Sequence, residues 1–269
     1  MKSPNIVKSP GMTSEEERVV KSMRELGFDP KKIAECRDKR TCDFSAGHGG
    51  DSYLIEAKMR AEDEEILSAM RRGDWSVKRQ SQGHSNPISK IVRDSVNQLD
   101  AVKTDTDTYR MIWISLVHFP DEDLCFKQIV YTLYGIEDIV FKCVDAQREM
   151  SGLLCFYFTH SEFHRFPQLD AAILERRGGF TLCLNEFSKN HDRLCQSGLV
   201  RQLRGRKGIL IPKEWELRNN CLLVEGDLDR SKPEVVLEHV KSKYKLTSAA
   251  NVTVQQSEIY FPIQLPKEQ

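Results

Sequence analysis

One stretch restricts this chain more than any other: residues 41–60, T-C-D-F-S-A-G-H-G-G-D-S-Y-L-I-E-A-K-M-R. It reads as two short strands, 41–46 and 53–60, joined by a turn through Gly47, Gly49 and Gly50, because glycine accepts the backbone conformations that tight hairpin turns demand. Side chains alternate faces along a strand. Glu56 and Lys58 therefore share one face, while Tyr53, Ile55, Ala57 and Met59 take the other. Folding back on the glycines brings Asp43 of the first strand beside that pair. A charged pair on a strand is ordinarily the solvated side of a half-buried sheet. Two carboxylates and an ammonium closing on one small volume would be a site.

Such a site suits phosphodiester hydrolysis. Two oxygen donors can hold Mg²⁺, which takes its remaining ligands from water and phosphate. A bound ion of this kind acidifies water and polarises a phosphoryl oxygen. Lys58 is then placed to orient the attacking water or to offset charge building on the phosphate.

Asp43, a gap, and then Glu56-Ala57-Lys58 in an apolar strand resemble the motif of the PD-(D/E)XK nuclease superfamily, the restriction-endonuclease-like fold. Cys42 stands where that pattern has proline. The resemblance implies a divalent cofactor, Mg²⁺ or Mn²⁺, held by Asp43, Glu56 and the Ala57 carbonyl. It also implies a glutamate from the first helix. Thr13 or Ser14 caps a helix over 14–26 whose first turn carries Glu15, Glu16 and Glu17, as the helix dipole favours. Val19, Val20, Met23 and Leu26 form its apolar stripe, and Glu16 aligns with that stripe. The run E-E-R-V-V-K-S-M-R-E-L-G-F is similar to the opening of junction-resolvase-like members, with Glu16 at the matching position. In the helix that starts at Asn86-Pro87, S-V-N-Q-L-D-A-V-K resembles the post-motif helix of the superfamily. That likeness makes Gln98 an outer helper that faces the site.

Residues 109–119, Y-R-M-I-W-I-S-L-V-H-F, are a near-continuous apolar run that suits a central strand covered on both faces. The order to this point is helix, strand, strand, helix, strand, which matches the superfamily core over 13–119. The expected fold class is therefore α/β, a restriction-endonuclease-like mixed central sheet flanked by helices. Residues 1–12 are expected as a disordered leader and 120–269 as an α+β C-terminal region or second domain. Within that region the pattern gives a helix at 124–133, strand or helix at 136–144, and a strand at 152–159. A helix over 161–177 follows, capped by Ser161 and stopped at Gly178-Gly179, then a strand at 180–187. A helix at 234–244 and edge strands complete it. Residues 61–70 read as helix and 71–86 as a polar surface loop.

Two basic stretches are candidates for nucleic-acid contact. In the first, Arg71, Arg72, Lys78 and Arg79 surround Trp75, which offers phosphate pairing beside a stacking ring. In the second, R-Q-L-R-G-R-K-G, the candidates are Arg204, Arg206 and Lys207. Each reads equally as a solvated basic loop. With 40 basic and 40 acidic residues in 269, the chain exerts no global pull on nucleic acid, so affinity has to be local. No run reaches the roughly 18 apolar residues of a membrane span, and the first ten residues lack a signal-peptide core. The 8 cysteines show no zinc-ligand spacing, which fits reduced, mostly buried thiols in a cytoplasmic protein. No phosphate loop of the G-x-x-x-x-G-K-[ST] kind is present. The reading is a metal-dependent nuclease, an endonuclease with DNA as partner and a homodimer as its expected assembly. The alternative is a non-catalytic module on the same fold that binds nucleic acid, or a protein through the C-terminal half.

Overall fold

A computed structural model describes residues 12–34, 41–59, 72, 74, 76–81, 83–103, 107–117, 122–143, 150–205, 208–252 and 255–260, with the backbone alone at 15, 59, 76–81 and 255–260. The elements in order are α1 (Ser14–Glu25), β1 (Asp29–Lys32), β2 (Phe44–His48), β3 (Asp51–Met59), β4 (Ser76–Ser81), α2 (Asn86–Asp100), β5 (Tyr109–Ser115), α3 (Glu122–Tyr134), β6 (Glu137–Cys143) and β7 (Ser151–Phe156). There follow α4 (Glu162–Arg165), β8 (Ala171–Arg176), β9 (Gly179–Leu184), α5 (His191–Cys195), α6 (Gly198–Arg204), β10 (Ile209–Leu210), α7 (Pro212–Glu216), β11 (Leu222–Leu223), α8 (Pro233–Tyr244), β12 (Leu246–Val252) and β13 (Gln255–Tyr260). The architecture is mixed α/β, with a large mixed sheet flanked by helices.

The chain forms two compact units that interleave along the sequence. The first takes its described residues from Met1–Met59, Arg93–Ser115 and Pro167–Ile209; the second from Arg60–Val92, Leu116–Phe166 and Leu210–Gln269. The division thus follows the sheets rather than a single cut after residue 119, because β8 and β9 return to the first sheet.

That sheet has seven strands in the order β1-β2-β3-β5-β8-β9-β10. β3, β5 and β8 run parallel at its centre, and β1–β2, β2–β3 and β8–β9 are antiparallel. The central strands β5 and β8 are almost entirely buried, as expected for parallel strands covered on both faces. α1 is set by a complete capping box: the Thr13 side chain accepts from the Glu16 N–H while Glu16 accepts from the Thr13 N–H.

A buried polar cluster pins α1 to the middle of the sheet. Glu175 Oε1 accepts from Arg18 at 3.1 Å and from the Ser22 hydroxyl at 2.6 Å, and its Oε2 accepts from Trp113 Nε1 at 2.9 Å. Arg18 also donates to the Ser115 hydroxyl at 2.7 Å. Trp113, Ser115 and Glu175 lie on one face by register, the face that also carries Ile55 and Tyr53. α1 therefore covers this face.

In the second unit a four-stranded sheet runs β11-β7-β6-β12, and β13 pairs with β4. α8 packs on β12, and α3 buries most of its length.

Several sequence expectations are corrected. Residues 161–177 do not form one helix: Ser161 caps only the single turn of α4, Pro167 follows, and Ala171–Arg176 is the central strand β8. Short apolar runs have no periodicity that separates a buried strand from a buried helix, and Gly178-Gly179 is the turn into β9 instead of a helix stop. Within 136–144, open between strand and helix, Glu137–Cys143 form β6. Within 71–86, expected as loop, 76–81 form β4, paired with β13. The short, charged β1 was not foreseen. The expected leader lies outside the described residues except for Met12, and the helix at 61–70 lies wholly outside them. Of the seven described cysteines, five are buried: Cys42, Cys125, Cys155, Cys183 and Cys221.

Replacing Glu175 with alanine leaves the mostly buried Arg18 without its counter-charge. Unfolding by urea is expected to show a loss of about 3 kcal/mol, part of which returns when Arg18→Met is added. An unchanged midpoint for Glu175→Ala would contradict this role.

Candidate active site

The site begins with a two-residue turn. Gly49 and Gly50 have φ of 58° and 90°, the positive values a tight hairpin turn uses at both central positions. They set His48 opposite Asp51 and, by counting back, Phe44 opposite Ile55. Asp43 lies one residue before β2 and so comes level with Glu56. Its Oδ2 accepts the Ala57 N–H at 2.8 Å. This locks the carboxyl against β3 although Asp43 itself stands just outside the strand.

Glu56 and Lys58 face away from α1. Glu56 is fully buried, which is costly for a carboxylate unless it is paired. Lys58 Nζ donates to Glu56 Oε1 in a very short contact. Gln98, from α2, donates through Nε2 to the same oxygen at 2.6 Å and to the Thr41 carbonyl at 3.4 Å, and accepts from Lys58 at 3.2 Å. The amide thus spans both charges. Glu56 Oε2 is buried and has no nitrogen or hydroxyl donor among the described residues; the Asp43 carboxyl lies close enough for the two acids to share a proton, which also raises Glu56.

Electrostatics follow from this geometry. Burial, and then the negative charge of Asp43, push the Glu56 carboxyl up to about 7 against the opposing pull of Lys58. Burial also raises Asp43, opposed by the Ala57 N–H and Lys58 and reinforced by the charge of Glu16. Cys42 is driven up to about 12 by burial and by Glu56 and Asp43, so its thiol is inert at neutral pH.

The donor set fits a hard divalent ion in chemistry: two carboxyls drawn together out of water, one of them with a buried oxygen that lacks a donor. Ala57, whose carbonyl was expected as a ligand, lies between Glu56 and Lys58. Glu16 is committed elsewhere. Both of its oxygens are 2.9 Å from Lys32 Nζ, and one accepts the Thr13 N–H at 2.7 Å. Burial raises this carboxyl, but the Lys32 and Thr13 interactions outweigh it and leave the pKa below its usual value. Lys32 is in register with Phe44 and Ile55, on the opposite face from Glu56. Among the described residues, no three His, Cys, Asp or Glu side chains are grouped to hold a metal. Glu16, the expected ligand from α1, is thus paired with Lys32 while its charge still acts on Asp43. A charged strand such as β1 gives little sequence signal, and the pairing of Lys32 with Glu16 has none.

Of the basic candidates, Arg72 is exposed and pairs with Asp74 at 3.0 Å, and Arg204 is exposed in the last turn of α6. Lys78 and Arg79 are on β4 opposite Glu258 and Ser257; their side chains, and Arg71, Trp75, Arg206 and Lys207 entirely, lie outside the described residues.

No family model matches the sequence, and no curated protein and no solved structure matches it significantly.

The Glu56 carboxyl keeps its proton to about pH 7 in the folded chain, against an ordinary value of 4.5. The native state therefore binds the extra proton between these values. Stability from this group is present below about pH 4.5 and is lost as pH rises through 7. Glu56→Gln removes the buried charge, so thermal and urea unfolding at pH 8 should show a gain of about 1–3 kcal/mol. The gain should shrink to nothing near pH 4; a gain independent of pH would rule out this origin.

Proposed function

We propose that this chain is a metal-dependent nuclease that hydrolyses phosphodiester bonds, with DNA as substrate, on a restriction-endonuclease-like fold. The observation that carries the reading is the convergence of Asp43, Glu56 and Lys58 on one sheet face, with Glu56 held desolvated and one of its oxygens without a donor. The element order supports it: α1, the β2–β3 hairpin, α2 and β5 come in the order helix, strand, strand, helix, strand, with β1 added ahead of the hairpin and β4 inserted between the hairpin and α2.

Asp43 and Glu56, with the Ala57 carbonyl, would hold Mg²⁺ or Mn²⁺. The chemistry such an ion supplies is acidification of a water molecule and neutralisation of phosphate charge. Lys58 presents its ammonium to the water or to a phosphate oxygen and stabilises charge that builds during displacement. Gln98 acts on both groups at once and fixes the rotamers of Glu56 and Lys58. Burial of the strand beneath them excludes bulk water from one side of the site. Endonucleolytic cutting and a homodimer belong to the same proposal, since a duplex has two strands to cut and each chain has one such site.

A second reading, a non-catalytic module on this fold, has one observation in its favour. Lys58 and Gln98 already satisfy Glu56 Oε1, and Glu16 is bound to Lys32. Binding would then use nucleic acid, or a protein through the C-terminal half.

Incubation with linear, circular and single-stranded DNA and with RNA, in Mn²⁺, Mg²⁺ or EDTA, separates the two. Cleavage is expected with either metal and none in EDTA. Asp43→Ala, Glu56→Ala and Lys58→Ala should each lower the rate by about a hundredfold or more while the circular dichroism spectrum is kept. A triple variant that cuts as fast as the parent protein would refute the assignment.

A further inference from the structure

The sheet face that carries Glu56 continues beyond it. Lys31 pairs with Ser45, and Ser45 with Leu54; Asp29 pairs with Gly47, and Gly47 with Ser52. Paired residues share a face, and so do residues two apart on a strand. Lys31, Ser45, Gly47, Ser52 and Leu54 therefore lie on the face of Glu56 and Lys58. The opposite face of the same strands carries the buried Phe44, Ala46, Tyr53 and Ile55.

This open face forms a groove of about 340 Å³, lined by Lys31, Ser45, Gly47, Ser52, Leu54 and Thr108 among others. The rise of a strand puts Leu54 about 7 Å and Ser52 about 13 Å from Glu56 along β3, so the groove lies on the same face as the site, beginning two residues along the strand from Glu56. Its lining carries one cation, Lys31, one carboxylate, Asp29, and three hydroxyls, with Leu54 as the apolar side chain of this face. The Lys31 side chain is 77% exposed, and its ion pair with Asp29, at 4.0 Å, is equally exposed. Such a pair holds the ammonium weakly. The Tyr53 ring is on the buried face, so on this face the groove offers phosphate and sugar contacts and no stacking platform.

Gly47 gives independent support. It sits inside β2 with an ordinary extended backbone, outside the positive-φ set, and a Cβ there would meet nothing within 4 Å. Neither the fold nor the backbone calls for glycine. In a strand interior, glycine of this kind marks close approach by another chain or a ligand.

We infer that this groove carries the sugar–phosphate backbone of one nucleic-acid strand next to the bond to be cut, with Lys31, Ser45 and Ser52 as its contacts. The inference rests on the nuclease reading and extends it to how substrate is tracked. Its contacts, an ammonium and hydroxyls, suit phosphate and sugar and are indifferent to base sequence. The carboxylate of Asp29, level with Gly47 and Ser52, closes the track at its far end.

The test uses the full chain and fluorescent single-stranded DNA and RNA oligonucleotides of mixed sequence. Anisotropy is read in Ca²⁺ across a salt series, and strand integrity is checked afterwards. Lys31→Gln should weaken binding roughly three- to tenfold and reduce the slope of log K against log salt by about 0.7, the loss of one phosphate contact on a single strand. Gly47→Glu, whose Cβ would meet nothing within 4 Å, should weaken it at least as much. Weakening on DNA and RNA alike supports phosphate recognition. If both variants bind with the affinity and salt slope of the parent protein while cleavage in Mn²⁺ persists, the groove assignment is overturned and the nuclease reading stands. If the parent protein neither binds a strand nor cuts one in Mg²⁺ or Mn²⁺, the nuclease reading fails and takes the groove with it.

Discussion

Registration of β2 on β3 is the constraint from which the rest of the first unit follows. Because side chains alternate, a slip of one residue would turn Glu56 and Lys58 toward α1 and send Ile55 to the other face. Two features prevent this. The Gly49-Gly50 turn fixes the count from one end, and the buried face of Phe44, Ala46, Tyr53 and Ile55 fixes it by burial. The Ala57 N–H then takes the Asp43 carboxyl as a third lock at the far end of the hairpin.

The two faces of the sheet handle buried charge differently. Toward α1, Glu175 has a donor on each oxygen and Arg18 has a second acceptor in Ser115; the carboxylate is fully paired, and Arg18 Nε is the atom of this cluster left without a partner among the described residues. Toward α2, both neighbours of Glu56 act on one oxygen and leave the other without a donor. An incompletely satisfied buried carboxyl costs stability. It persists here because the hairpin register, Lys58 and Gln98 together determine its position. Such locally unfavourable arrangements concentrate where a protein does chemistry.

The sequence made the centre of this arrangement legible because its signals are local or of fixed period. Alternation along β3, glycines at the turn and the amphipathic stripe of α2 are enough to bring Asp43, Glu56, Lys58 and Gln98 together, and the structure places these four in contact or in sequence around one carboxyl. What stayed hidden depends on distant partners. A-A-I-L-E-R becomes strand because it finds β5, 56 residues or more away in sequence, and nothing in those six residues announces it. β1 is charged and short, and exists by pairing with β2. The engagement of Glu16 by Lys32 follows from that strand, so nothing in the helix stripe itself announces it. The interleaving of the two units likewise follows from strand pairing across the chain.

Charge balance bears on how a neutral chain could engage a polyanion. Asp43, Glu56 and Lys58 together carry one net negative charge when all are ionised, which repels phosphate. A divalent ion between the carboxyls would reverse that sign, and affinity at the scissile bond would then depend on the metal. Farther along the same face the situation differs: Lys31 is the cation of the groove, and its pair with Asp29 is long and exposed. The ammonium can leave that weak pair for a phosphate without a metal ion. On the nuclease reading, a strand would be held first by its flank and drawn over the carboxyls as metal binds, a division of labour that a chain with equal numbers of acids and bases can achieve through placement alone.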